Sequence, residues 1–381
     1  MKRLLAVLIA LVLAVSLIAA AGGMRSGHRT DGLYYAAADI HPDAQLLKVN
    51  DDAISAEEYL YWLAYDCEYL TSYSPDLDWD AEVSDGMTYA QYAKHDAVEA
   101  VKLYTIVRQW ARQANITLSD DDRAALEAQR QEYVTYYGGE EAYARQIQLL
   151  GVSAETFESI NSVFYLFNQV QQQFCTPGSS LYPGDAALQS FADEQQYLTV
   201  KLLYLSTVSL ENQTLIDAKK TTAENYAQQL VKADDVDAVY AELAAELGLE
   251  GQYPENGLTL SANDTSLDAE LLSAIQALSE GEVSDVISCD NGFYVAVRMP
   301  LDREAVAAEY FNLQLQQARD SAKVEYNGKL YDPIDVAAFY SALQQQRKEL
   351  QEQFDAAGAP VPDENSTLGS NLENSTVLPG R

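Results

Sequence analysis

The stretch GEVSDVISCDNGFYVAVR, residues Gly281–Arg298, decides how the second half of the chain folds. Two runs rich in β-branched residues, Val283–Ile287 and Phe293–Val297, flank the tetrapeptide Cys-Asp-Asn-Gly. Short strand-forming runs that are joined by an Asn-Gly turn are typical of a β-hairpin. The sequence therefore predicts two antiparallel strands here, with Tyr294 in the second strand.

The segments that precede this hairpin alternate between strand and helix patterns. Tyr197–Thr207 (YLTVKLLYLST) predicts a strand, and residues 215–232 and 235–247 predict two amphipathic helices. A loop rich in Gly, Pro and Asn follows at Gly251–Asp264, and a short helix is expected around Leu267–Leu278. The order β-α-α-loop-α-β-β is typical of a small antiparallel sheet flanked by helices.

The first half of the chain has helical patterns, apart from one short strand at Leu46–Val49. Ser55 and Glu58 have the spacing of a capping box, which predicts the start of the first helix. An aromatic stripe runs beside the apolar face of that helix, and the combined face is broad enough to leave some rings exposed. The stripe consists of Tyr59, Trp62, Tyr65 and Tyr69. Further helices are expected at Tyr89–Ala114, from Ser119 to Gly138 and from Ser153 onward.

Changes in composition divide the chain into segments. The Pro-, Gly- and Ser-rich stretch Cys175–Asp185 ends the helical region 46–176 and predicts a linker before the mixed region 185–302. Helical patterns return over residues 303–354. The last stretch, 355–381, is rich in Ser, Asn, Pro and Gly and is predicted to be disordered. Together these segments predict an α+β protein.

The composition excludes some classes of function. The 381 residues include 58 acidic and 24 basic side chains, a formal net charge of -34, so the surface cannot neutralise the phosphates of a nucleic acid. Such a charge favours a soluble protein whose copies repel one another. With 48% hydrophobic residues the chain can bury a core, and its length suggests two or three domains. The three cysteines are odd in number and far apart, so no disulfide framework is predicted.

The N-terminus carries the pattern of an export signal. Lys2 and Arg3 precede the apolar run Leu4–Ala21, which ends in small residues, so residues 1–22 are predicted to be a signal peptide. An uncleaved membrane anchor is the alternative, because the run is nearly long enough to span a bilayer. In both cases the rest of the chain lies on the extracellular or cell-envelope side of the membrane, and membrane contact is expected only through this segment. No cysteine lies near residue 22, which excludes lipid attachment at that site.

One acidic loop has part of the pattern of a metal site. Asp76–Gly86 spaces its acidic residues like the start of a calcium-binding loop. However, Ala81 stands where that loop requires glycine, and Met87 stands where it requires a bidentate glutamate. A solvated acidic loop is therefore predicted, and no metal or other cofactor is expected from any motif in the chain.

The order of these segments resembles that of exported foldases of the SurA and PrsA type, in which a helical chaperone domain carries an inserted parvulin-type peptidyl-prolyl cis-trans isomerase domain. Three segments carry the resemblance. LDAELLSAIQALSEGEVSDVISCDNGFYVAVR (Leu267–Arg298) resembles the family's apolar anchors followed by Gly-Glu-hydroxyl and Gly-aromatic-His. VNDDAISAEEYL (Val49–Leu60) resembles the opening of the chaperone domain, and AKVEYNGKLYDPIDVAAFY (Ala322–Tyr340) resembles the segment that returns to it. The resemblance implies that residues 46–176 and 303–354 form one helical domain, into which 185–302 is inserted.

The chain departs from the family at its paired histidines, which organise the proline pocket by hydrogen bonding. In VKLLYL, Leu202 stands at or next to the first histidine position, and Tyr294 stands at the second. The two apolar pocket positions correspond to Leu267 and Leu271. The three histidines of the chain lie outside this domain, at His28, His41 and His95. The candidates for a peptide groove are therefore Leu202, Leu267, Leu271, Phe293 and Tyr294, and no residue is assigned as catalytic.

The resemblance implies a foldase that binds unfolded or nascent exported polypeptides. The loss of both histidines predicts that its prolyl isomerase activity is weak or absent. Tyr59, Trp62, Tyr65 and Tyr69 are the candidates for the surface that contacts these polypeptides. Two alternatives stay open, an active prolyl isomerase and a non-catalytic scaffold or binding protein of the cell envelope. The oligomeric state is not predicted.

Overall fold

The computed structural model describes residues 32–357, except 42, 43, 85, 250, 263 and 265. The chain forms two compact units. Unit 1 combines the residues up to Gln172 with those from Gln314 onward, and unit 2 is the continuous segment Gln173–Leu313. The predicted signal or anchor at residues 1–22, and the predicted tail beyond residue 357, lie outside the described residues.

Unit 1 is mainly helical. Its helices are α1 (Leu33–Ala38), α2 (Ala56–Tyr73), α3 (Tyr89–Gln113), α4 (Asp120–Tyr137), α5 (Glu140–Leu150), α6 (Ala154–Cys175), the second part of α11 (Arg303–Ser321), α12 (Gly328–Tyr331) and α13 (Val336–Ala356). Its strands are β1 (Gln45–Val49), β2 (Asp52–Ser55), β3 (Glu82–Ser84), β4 (Met87–Thr88) and β9 (Val324–Tyr326).

The predicted helix caps are present where the sequence placed them. The Ser55 side chain accepts a hydrogen bond from the backbone N–H of Glu58 and begins α2. Ser119 and Asp122 cap each other at the start of α4, and Gly138 ends that helix in the left-handed conformation. Each cap satisfies backbone groups that the first or last turn of a helix leaves unpaired.

A small sheet joins the two parts of unit 1. Its strand order is β2-β1-β9, and both pairs are antiparallel. Leu47 of β1 lies opposite Tyr326 of β9, although the two are 279 positions apart in sequence. The segment that the sequence predicted to return the chain to the helical region therefore completes this sheet.

Buried ionic groups also link distant segments of unit 1. Arg347 of α13 pairs with Glu68 of α2 and donates to the backbone carbonyl oxygens of Leu149 and Leu150 at 2.8 and 3.0 Å. These carbonyls lie at the C-terminal end of α5, where a cation is favoured because the last carbonyls lack helical partners.

Unit 2 is an antiparallel sheet with helices. Its strand order is β6-β5-β8-β7. The strands are β5 (Leu198–Ser206), β6 (Leu258–Leu260), β7 (Ile287–Cys289) and β8 (Gly292–Met299). The helices are α7 (Asp185–Gln195), α8 (Gln213–Lys232), α9 (Val236–Leu247), α10 (Ala269–Gln276) and the first part of α11. The predicted α+β class, with a mostly helical part and a small antiparallel-sheet part, is confirmed.

Several local predictions were wrong or incomplete. Helices α1, α5 and α7 were not predicted. Val283 forms only an isolated bridge with Val297, so the first hairpin strand is restricted to β7. Helix α13 extends to Ala356, two residues into the tail that was predicted to be disordered.

The limits of the units differ from the predicted segment limits. The sequence placed a linker at Cys175–Asp185 and a boundary after residue 302, whereas unit 2 runs from Gln173 to Leu313. Both limits of unit 2 lie inside helices, α6 and α11.

Within the described part of the chain, no helix combines the length and the hydropathy needed to cross a membrane.

Candidate functional site

The sheet of unit 2 has two different apolar faces, because successive side chains of a strand point to opposite sides. On β8, Phe293, Val295 and Val297 pack with helices α8 and α9. Tyr294 and Ala296 point to the other side and pack with α10. We call this second side the tyrosine face.

The tyrosine face has a buried floor and a partly exposed rim. Its buried members are Leu198, Val200, Leu202, Leu260, Leu271, Ile275, Tyr294 and Ala296. Its partly buried members are Tyr204, Tyr253, Leu258, Leu267, Leu278, Ile287 and Cys289. An apolar surface with a few polar groups is the usual composition of a small-ligand or peptide site.

Two tyrosines form the most distinctive pair on this face. Tyr204 of β5 lies directly opposite Tyr294 of β8 in the strand register. Their rings are stacked, with centroids 4.7 Å apart and planes inclined by 18°. Cross-strand aromatic pairs of this kind stabilise a sheet and fix the orientation of both rings.

One residue of the hairpin turn binds both tyrosine hydroxyls. The Asn291 side-chain amide donates to the Tyr294 hydroxyl oxygen at 2.9 Å. The Tyr204 hydroxyl donates to the backbone carbonyl oxygen of Asn291, also at 2.9 Å. The Cys-Asp-Asn-Gly turn therefore positions the tyrosine pair in addition to joining the strands.

Burial keeps two ionisable groups of the tyrosine face, Tyr294 and Cys289, in their protonated form at neutral pH. Burial raises the pKa of Tyr294 above its ordinary value, although the hydrogen bond from Asn291 acts in the opposite direction. Burial also raises the pKa of the Cys289 thiol, and the carboxylates of Asp268 and Glu270 add to that effect. Tyr294 is therefore a hydrogen-bonding phenol, and Cys289 is a thiol with little nucleophilic thiolate.

The predicted groove residues do not all share this site. Leu202, Leu271 and Tyr294 are buried within the tyrosine face, and Leu267 lies at its rim. Phe293 points to the opposite side of the sheet and packs in the helix-covered cluster. Its inclusion in the groove was therefore wrong, because adjacent residues of a strand cannot line the same face.

Tyr204 is the site residue that the sequence analysis missed. Leu202, which was placed at or next to the first histidine position, lies opposite Ala296, whereas the partner of Tyr294 is Tyr204. Leu202 and Tyr204 lie two residues apart and share a face, so strand alternation alone does not distinguish them. The aromatic type of Tyr204, matching that of Tyr294, was the available signal.

The aromatic stripe of α2 is mostly internal, which corrects its assignment as an exposed surface. Tyr59, Trp62 and Tyr65 are buried in unit 1, where Trp62 contacts the ring of Tyr104 at a centroid distance of 4.7 Å. Only Tyr69, near the end of the helix, is exposed. It forms an exposed pair with Tyr73, with ring centroids 5.2 Å apart.

The described residues bring together no group of three or more His, Cys, Asp or Glu side chains that could hold a metal ion. In the acidic loop Asp76–Gly86, the short strand β3 pairs with β4. Cys67, Cys175 and Cys289 are free thiols.

Comparison with known proteins identifies the class of the domain that contains this site. Residues 201–299 match the family model described as the PPIC-type PPIase domain. This range begins within β5, ends with β8 and includes both tyrosines of the pair. The predicted parvulin-type domain is therefore confirmed for this part of the chain.

Solved structures similar to the chain include several foldases. The foldase protein PrsA from Streptococcus pneumoniae is 18% identical, with 79% of this chain and 100% of that chain covered and a TM-score of 0.22. PrsA from Bacillus subtilis is 15% identical, with 77% and 99% covered and a TM-score of 0.26. A SurA-like chaperone structure from Campylobacter jejuni, from work on PEB4 and the periplasmic protein Cj1289, is 14% identical, with 74% and 98% covered and a TM-score of 0.21. No curated protein sequence matches the chain.

Proposed function

We propose that the chain is an exported foldase whose inserted domain binds proline-containing segments of unfolded polypeptides on the tyrosine face, with weak or no isomerase activity. The observation that carries the proposal is the stacked pair Tyr204–Tyr294 on an apolar face of a PPIC-type PPIase domain. Export is inferred from the charged and apolar pattern of residues 1–22, which lie outside the described residues.

Peptide binding is supported by the partly exposed apolar groups of the tyrosine face. Leu267, Ile287 and the ring of Tyr204 offer apolar surface around the more deeply buried Tyr294. A proline ring that covers such surface gains about 25 cal/mol for each Å² of apolar area removed from water. This gain needs no ionised group, so it does not depend on the histidines that the family carries.

Weak isomerase activity is supported by the hydrogen bonding of the pair. Rotation about an X-Pro bond has a barrier of about 20 kcal/mol, and groups that stabilise the twisted amide lower it. The Tyr204 hydroxyl already donates its proton to the Asn291 carbonyl. If the substitutions remove two strong hydrogen bonds, the loss is about 3 kcal/mol of transition-state stabilisation, or about a hundredfold in rate.

The test compares peptide binding and isomerisation in the full-length protein. The probe is a blocked Ala-Ala-Pro-Phe peptide, whose affinity is measured by calorimetry and whose cis–trans exchange is measured by NMR. The wild-type protein is expected to bind the peptide and to accelerate exchange little. The double variant Tyr204→His/Tyr294→His is expected to accelerate exchange about a hundredfold more, with nearly unchanged affinity.

A matched control substitutes a tyrosine of unit 2 that packs in the helix-covered cluster. Tyr226 of α8 packs in that cluster and binds Glu246, so Tyr226→His adds a histidine without altering the tyrosine face. Wild-type exchange as fast as that of an ordinary parvulin would identify an active isomerase and overturn the proposal. Absence of both binding and exchange would leave only a scaffold role for the domain.

A further inference from the structure

We infer that Asn291 is a positioning residue: its side-chain amide binds the Tyr294 hydroxyl oxygen and leaves the Tyr294 proton directed to a carbonyl oxygen of the bound peptide. This inference rests on the proposed function, because it assigns a role to a residue at the same site. It states which group donates in the hydrogen bond between the site and its ligand: the Tyr294 hydroxyl donates, and a carbonyl oxygen of the peptide accepts.

The direction follows from the chemistry of the two groups. An amide nitrogen can only donate, whereas a phenol has one proton to donate and lone pairs to accept. Since the Asn291 nitrogen lies 2.9 Å from the Tyr294 hydroxyl oxygen, that oxygen accepts. Among the described residues, the Tyr294 hydroxyl has no second hydrogen bond, so its proton remains for a ligand.

The backbone of Asn291 has a separate role. Its carbonyl oxygen accepts from the Tyr204 hydroxyl at 2.9 Å and from the backbone N–H of Thr207 at 3.0 Å. Tyr204 is thereby fixed through the main chain and has donated its own proton. Of the two stacked tyrosines, Tyr294 is therefore the one that can donate to a peptide.

A directed donor matches the chemistry of proline-containing chains. The amide nitrogen of proline has no hydrogen, so an X-Pro bond can be recognised by hydrogen bonding only through its carbonyl oxygen. A site that offers a donor beside an apolar surface therefore suits X-Pro segments. The ionisable neighbours of Tyr294 are Tyr204, Tyr253 and Cys289. Burial raises the pKa values of Tyr294, Tyr253 and Cys289, so Tyr294 keeps its proton at neutral pH and gains no charged neighbour from Tyr253 or Cys289.

The decisive variant reverses the hydrogen bond. In Asn291→Asp the carboxylate accepts the Tyr294 proton, which is then lost to the peptide. The affinity of the full-length protein for blocked Ala-Ala-Pro-Phe is expected to fall about fivefold to tenfold. Because Asn291 is exposed and its backbone contacts do not depend on its side chain, the fold is expected to persist.

Two controls separate this effect from the added charge. Ser288→Asp introduces the same charge at an exposed neighbouring position of β7 and is expected to leave the affinity unchanged. In a Tyr294→Phe background, Asn291→Asp is expected to cause no further loss, because the proton it acts on is absent. Equal losses in Ser288→Asp and Asn291→Asp, or a full loss in the Tyr294→Phe background, would overturn the inference.

A measurement without peptide tests the hydrogen bond itself. In Asn291→Ala, the pKa of Tyr294, followed by NMR of ¹³C-labelled tyrosine, is expected to rise because the donor that stabilises the phenolate is gone. An unchanged pKa would overturn the inference even if the protein binds peptide. If the wild-type protein binds no proline peptide, the proposed function fails and the inference fails with it, whereas binding that is insensitive to Asn291→Asp overturns the inference alone.

Discussion

Gly292 and Leu205 approach each other across strands β8 and β5 so closely that no side chain fits between them. A β-carbon placed on Gly292 would lie 2.4 Å from the Leu205 carbonyl oxygen. Gly292 also has a φ of +150°, a conformation that other residues rarely adopt. Gly292 is the first residue of β8 and lies between Asn291 and Tyr294 in sequence, so this contact sets the geometry of the candidate site.

Gly292→Ala is expected to lower the free energy of unfolding by about 3 kcal/mol, because the backbone must move to relieve the contact with Leu205. Chemical denaturation of the full-length protein, followed at unit 2, measures this change in the free energy of unfolding. Gly281→Ala is the control, since Gly281 also has positive φ but has no atom within 4 Å of the added carbon. Its expected cost is about 1 kcal/mol. Equal costs would show that the contact with Leu205 is unimportant.

Substitution of Leu267 is expected to lower peptide affinity, whereas substitution of Phe293 is expected to lower stability. Leu267→Ala removes apolar surface at the rim of the tyrosine face and should weaken binding of blocked Ala-Ala-Pro-Phe about fivefold, with little change in stability. Phe293→Leu alters the helix-covered side and should cost about 1 kcal/mol of stability with unchanged affinity. Calorimetry and thermal unfolding separate the two outcomes. Loss of affinity in Phe293→Leu alone would place the peptide on the other side of the sheet.

Peptide affinity is expected to be constant between pH 6 and about 9. Burial raises the pKa of Tyr294 above its ordinary value near 10, so its proton is present throughout this range and is lost only at higher pH. The variant Tyr204→His/Tyr294→His should instead show a pH-dependent affinity with a transition near pH 6.5, where imidazole titrates. Calorimetric titrations at several pH values test both expectations. A transition near neutral pH in the wild-type protein would show that another group controls binding.

The exposed pair Tyr69 and Tyr73 is the remaining candidate for contact between unit 1 and unfolded chains. Tyr69→Ser/Tyr73→Ser should reduce the ability of the protein to suppress light scattering by an aggregating client. The double substitution should change the free energy of unfolding by no more than about 0.5 kcal/mol, because both residues lie at the surface. Val231→Ser, an exposed apolar residue of α8, is the control. Unchanged suppression in the tyrosine variant would exclude this pair from client binding.

The sequence was sufficient for features that depend on local chemistry. Ser55 and Ser119 begin their helices as predicted, and the Asn291–Gly292 turn joins two strands. Such features depend on hydrogen bonds and backbone preferences within a few residues. The short strand β6 was missed because it lies in a Gly-, Pro- and Asn-rich loop and is a strand only through pairing with β5.

The candidate site was only partly predictable, because its geometry depends on register between strands distant in sequence. Leu202 and Tyr204 are equivalent in an alternating pattern, and only the pairing of β5 with β8 makes Tyr204 the partner of Tyr294. The burial of Tyr59 has a similar cause. Its ring packs on Tyr331, with centroids 5.4 Å apart, and that contact joins residues 272 positions apart.

The pairing of β1 with β9 has a consequence for the order of events during synthesis. Unit 2 is continuous, so it can fold once Leu313 has emerged, whereas the first part of unit 1 must wait for β9 and for α13, which packs against α1. At about 5–20 residues per second, synthesis of the 154 residues after Gln172, up to Tyr326, takes on the order of ten seconds, and α13 is completed later still. During that interval the apolar surfaces of α1 and β1 lack their final partners. The nascent chain of this protein is then itself incompletely folded, like the polypeptides that we propose the folded protein binds.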